Sequence, residues 1–144
     1  MRQGHLFPAL LLVGERAALA DGLARAFARG FAEPTSTAIA LGASATADAA
    51  MDLFQDAASL QHEHAGHKGG APAVPLEGIA RLLDRLQPWA ACAPVYYPVL
   101  LFLHARLATL RGRHDEARRL LVFSAGLCAS MGLAYHEEIG RAHV

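Results

Sequence analysis

Apolar residues recur three and four positions apart along most of this chain, and no run of Val, Ile, Thr or aromatic residues alternates with a period of two. A three-four spacing gathers apolar side chains on one side of a helix, whereas a half-buried strand needs strict alternation. The chain is therefore predicted to be all-α, with no sheet. From Pro8 to Arg29, the residues Leu12, Leu19, Leu23 and Phe27 share one side, Glu15, Asp21, Arg25 and Arg29 stay off it, and Gly30 supplies the stop. Pro34 followed by Thr35, Ser36 and Thr37 marks the next start, because a hydroxyl there can accept a bond from an otherwise orphan amide.

The second helix is clearest from Ser44 to Gln61, where Ala47, Met51, Phe54 and Ala58 form a stripe. Asp48, Asp52, Gln55 and Ser59 lie opposite and are assigned to a solvated face. The segment HEHAGHKGGAPAVP has breakers and no period, and is expected to be a mobile loop over 62–75. Leu76, Ile79, Leu83 and Leu86 give the next helix its apolar side, Glu77 and Arg81 are spaced to pair on it, and Pro88 is expected to stop it. A WAACAPVYYP connector then leads to a helix from Val99 to Leu110, a turn at RGRH, and a helix from Asp115 to Met131. That makes at least five helices.

A chain of 144 residues can bury one domain's core without metal or disulfides. Its 13 basic and 13 acidic residues cancel, so no global charge draws it to nucleic acid. Cys92 and Cys128 fit neither a metal-ligand spacing nor a disulfide framework, which points to a reducing compartment. Glu15 and Arg16 interrupt the leading apolar run too early for a signal peptide, and the longest strongly apolar stretch, PVLLFL, falls well short of the roughly 18–20 residues of a membrane span. The expected location is the cytoplasm.

Val99 to Met131 resembles one tetratricopeptide repeat, a helix-turn-helix unit with small residues where its two helices touch. The residues that carry the resemblance are Leu101 as a large apolar anchor, Ala105 at the first small position and Gly112 at the turn. Ala117 follows at the second small position, Leu121 at the next large one and Ser124 at a third small site. Ala129 stands where the repeat closes with Pro, and His104 where a more apolar residue is usual. The stretch HDEARRLLVFSAGLCASMGLAYHEE is similar to the helical repeat regions of large multidomain bacterial regulators that carry a signal-transducing ATPase module. No GxxxxGK[ST] motif is present, so nucleotide chemistry is not carried over. The resemblance implies a tetratricopeptide-like α-solenoid fragment of antiparallel helical pairs. Its parts are the helices of 1–61, the loop of 62–75, the repeat region of 76–138, and 139–144. The ending EIGRAHV reads as a translated sequencing adapter, so Ile139 to Val144 are expected to be a non-native tail.

The sharpest candidate chemistry is His62, His64 and His67, since three imidazoles on one segment could ligate zinc, nickel or copper. A Gly- and Ala-rich loop supplies no rigid support for such ligands, so the expectation is weak, adventitious binding and no resident cofactor. Arg106, Arg111, Arg113, Arg118 and Arg119 concentrate positive charge near the turn, with Asp115 and Glu116 against them, and are read as a solvated helix end rather than a nucleic-acid patch. Trp89, Tyr96 and Tyr97 are read as a connector packing over the core. No catalytic constellation is assigned. The expected function is a non-catalytic scaffold binding a protein, a peptide or a small effector within a larger regulator, whose flanking repeats lie outside this chain. The alternative is a small helical metal-binding or sensor protein that uses the histidine loop.

Overall fold

The computed structural model describes residues 16–31, 34–63 and 75–133, and these form five α-helices with no strand among them. Helix α1 is Arg16–Arg29, α2 is Thr37–Glu63, α3 is Leu76–Cys92, α4 is Tyr97–Leu110 and α5 is His114–Ser130; a single 3-10 turn, Pro94–Tyr96, joins α3 to α4.

Helix α1 buries Leu19 and Leu23 completely, as their spacing predicts. Of the three hydroxyls at the start of α2, Ser36 is the one that caps it, its Oγ accepting the Ile39 N–H at 3.4 Å. Helix α2 is the hub. Ala40, Ala43, Ala47, Ala49, Ala50 and Met51 are all buried, and α2 contacts α1, α3 and α4. Small side chains on several sides of one helix let three neighbours approach it. Its two buried hydroxyls are satisfied locally, Ser44 Oγ donating to the Ala40 carbonyl at 2.9 Å and Thr46 Oγ1 to the Gly42 carbonyl at 2.8 Å.

Helix α3 corrects one expectation. It runs through Pro88 to Cys92. The carbonyl that loses its partner belongs to Asp84, which is exposed together with Pro88, so water can serve it. Beyond Pro88, Trp89 and Ala90 pack on the core and hold the last turn, and the Ala93 N–H closes onto the Trp89 carbonyl at 2.9 Å. Glu77 does not pair with Arg81; its carboxylate meets Arg111 at 3.0 Å instead.

Long-range bonds give the helix directions. Tyr96 Oη donates to the Ala40 carbonyl, and Arg106 bonds Asp48 and Asp52, partners 54–58 residues apart in the same order, so α2 and α4 run parallel. Arg111 at the end of α4 meets Glu77 at the start of α3, so that pair is antiparallel. Ser124 Oγ donates to the Pro98 carbonyl at 2.8 Å, so α4 and α5 are antiparallel as well. Helices of the same direction thus alternate with reversed ones from α2 to α5.

Candidate interaction site

The positions that carry the repeat resemblance lie in the α4–α5 contact, the most extensive between any two helices here. Leu101, Ala105, Ala117, Leu121 and Ser124 are all buried. The Ser124 bond sets the register: seven steps forward from Pro98 reach Ala105, and seven back from Ser124 reach Ala117, so the two alanines stand opposite each other. Gly112 holds φ at +74° in the turn between the helices. Its N–H bonds the Thr109 carbonyl and the Arg113 N–H bonds the Ala108 carbonyl, each at 2.9 Å, which satisfies the otherwise orphan end of α4. Leu101, Ala105, Ala117 and Leu121 are packing elements and Gly112 a turn element.

Charge falls differently from the expectation. Asp48 and Asp52 keep 44% and 34% of their side chains exposed, but both also accept from Arg106, whose side chain is only 18% exposed. Burial acts to lower the Arg106 pKa, but the two carboxylates outweigh it and the net shift is upward. The arginine cluster is likewise divided, with Arg106 facing α2, Arg111 bound to Glu77 and Arg113 bound to Glu116. Only Arg118 and Arg119 remain together on the outer side of α5.

A pocket of about 220 Å³ opens beside Asp48. Its walls are Ser44 and Ala45 from α2, Pro98, Val99, Phe102 and Leu103 from α4, and Ser124 and Cys128 from α5. Sequence reasoning missed it, because nothing in the chain signals that these three helices leave a gap. On the opposite side of α4, a polar cleft gathers Glu77, Asp84, His104, Arg111, Arg113 and Glu116. Burial lowers the His104 pKa against the upward pull of Asp84 and Glu116.

No protein-family model, curated protein or solved structure matches this chain. Its function must be read from its own surfaces. The outer side of α5 carries an apolar patch, with Val122 56% and Phe123 52% exposed along a shallow groove that includes Gly126 and Leu127 and ends at Arg118 and Arg119. A β-carbon added at Gly126 would meet nothing within 4 Å.

The aromatic connector packs inward. Trp89 is half-buried against the core within α3; Tyr96 is buried, and burial pushes its hydroxyl pKa up to about 12; Tyr97 sets its ring edge-to-face on Phe123 at 6.5 Å. Of the candidate metal ligands, His62 belongs to the last turn of α2, and His64 and His67 lie outside the described residues. Among the described residues no three of His, Cys, Asp and Glu converge as metal ligands, and Cys92 and Cys128 are not joined in a disulfide. No helix among them is long and apolar enough to cross a membrane.

Proposed function

We propose that this chain is a non-catalytic interaction module, a tetratricopeptide-like stretch of α-solenoid from a larger regulator, that binds protein or peptide partners. The observation that carries the reading is the outer side of α5. A helix on the surface of a self-sufficient core turns polar residues outward, whereas α5 leaves Val122 and Phe123 more than half exposed around a glycine. Glycine within a helix costs about 1 kcal/mol relative to alanine, and close approach of another helix is one arrangement that offsets it. The alternating directions of α2 to α5 and the small residues between α4 and α5 support the same reading.

Two measurements test it. Sedimentation velocity over a concentration series is expected to show reversible self-association through the uncovered side of α5. Val122→Glu should abolish that association without loss of helical circular dichroism; a chain that stays monomeric at every concentration overturns the reading. The DNA flanking this reading frame at its locus is expected to encode further helical pairs of about 34 residues and a signal-transducing ATPase module. Flanking sequence that encodes neither removes the regulator assignment.

A further inference from the structure

We propose that the cleft between α1 and the first half of α3 binds a small molecule that joins an aromatic ring to a carboxylate. The proposal goes beyond the interaction-module reading, since no residue of α5 lines this cleft. Ala24, Phe27 and Ala28 share one side of α1, and Gly78, Arg81, Leu82 and Arg85 share one side of α3, because steps of three and four keep residues on one face of a helix. Gly30, at φ +75°, turns the chain as α1 ends. Phe31 follows it, sets its ring edge-to-face on Phe27 at 5.1 Å and offers its carbonyl to Arg85 Nη1. Ala24, Ala28 and Gly78 bring little bulk to the two walls, and a space of about 360 Å³ is left between them. Pockets for whole small molecules begin at about 300 Å³.

Charge selects the head of the ligand. Two arginines line the cleft and, among the described residues, no carboxylate does. The acids nearest Arg81 on α3 are engaged elsewhere, Glu77 by Arg111 and Asp84 in the polar cleft with His104. Arg81 is exposed and makes no hydrogen bond or ion pair among the described residues. Arg85 gives one N–H to the Phe31 carbonyl, which holds its guanidinium at the cleft and leaves the rest of its fork for an anion. Two guanidiniums one turn apart on a helix are neighbours, and each matches the planar geometry of a carboxylate.

The apolar walls select its body. Ion pairs with exposed arginines contribute little by themselves, so a bare anion gains little here. Phe27 and Phe31 are half-buried and both line the cleft, and an edge-to-face pair accepts a third ring in the same manner. Leu82 and Ala24 add carbon beside them. A neutral aromatic forgoes the arginines and an aliphatic acid of few carbons forgoes the rings, whereas an aromatic carboxylate uses both.

The test titrates 3-phenylpropanoate into the chain at fixed ionic strength and follows backbone amide chemical shifts. Saturable shifts are expected at Phe27, Gly30, Phe31, Gly78 and Leu82. Exchanging the ligand for 3-phenylpropanamide, which lacks the charge, or for propanoate, which lacks the ring, should weaken binding by about fivefold or more. In the protein, Arg81→Gln removes a guanidinium that bonds nothing else among the described residues, and should weaken binding by about fivefold with unchanged circular dichroism. Arg118→Gln makes the same charge change on α5 and should bind as the parent does. Absence of saturable shifts at the cleft, equal binding of the amide or of propanoate, or unchanged binding to Arg81→Gln overturns the proposal. So does an equal loss in Arg81→Gln and Arg118→Gln, or inorganic phosphate binding as tightly as 3-phenylpropanoate, since either reduces the effect to general attraction of anions. Each of those outcomes leaves the interaction-module reading standing, because that reading is decided at α5 by sedimentation and not at this cleft.

Discussion

Helix α4 meets α5 through small residues, with Ala105 and Ala117 opposed, whereas it meets α2 through Arg106 held by Asp48 and Asp52. The first contact joins helices separated by a turn at Gly112, so chain connectivity already restricts their register and close packing completes the restriction. The second joins residues 54–58 positions apart. No short connection limits how α2 slides along α4. Both helices are rich in Ala and Leu, whose surfaces tolerate several registers, and a guanidinium that must satisfy two carboxylates one turn apart prefers one of them. Local contacts here are specified by shape, and the distant one by charge.

The largest effect is expected at the shape-specified contact. Ala117→Leu adds bulk where two backbones approach and should cost about 1–3 kcal/mol in urea denaturation; a neutral result would show that Ala105 and Ala117 are not opposed. Arg106→Met keeps the apolar stem and removes the cation shared by Asp48 and Asp52. A fully buried broken pair costs about 3–5 kcal/mol, but these carboxylates are 44% and 34% exposed, so about 1–2 kcal/mol is expected. If Arg106→Met is as stable as the parent, charge does not set the α2–α4 register. Gly112→Ala forces a side chain into the left-handed region at φ +74° and should cost about 1 kcal/mol, read as a lower midpoint with unchanged slope.

The smallest effect is a pH dependence in the polar cleft. His104 has a lowered folded-state pKa, so as pH falls below the ordinary histidine value the unfolded chain takes up a proton that the folded chain resists. Stability is therefore lost on acidification from neutrality, until the folded-state value is passed. Melting temperatures from pH 7.5 downward should fall less for His104→Gln than for the parent, and parallel curves for the two proteins would sink this account.

Much of the α4–α5 hairpin was legible because its determinants are close in sequence. Ala105, Gly112, Ala117 and Ser124 stand at the positions that carry the repeat resemblance, and the structure buries Ala105, Ala117 and Ser124 and places Gly112 in the turn. The same local reading failed at Asp48 and Asp52. Two carboxylates one turn apart look solvated until Arg106 arrives from another helix, and periodicity carries no information about a partner more than 50 residues away. It failed at Pro88 for a related reason, since Trp89 and Ala90 keep their helical turn by packing on the core rather than by propensity.

What the sequence by itself determined is helix content, most helix ends and the small-residue hairpin, because apolar period, capping hydroxyls and glycine turns act within a few residues. Tertiary structure alone decided the parallel pairing of α2 with α4, the division of the arginines among separate carboxylates, the pocket beside Asp48 and the exposure of Val122 and Phe123 on α5. Each of these depends on where separate helices stop approaching one another, and that distance is set by the side chains of both partners at once.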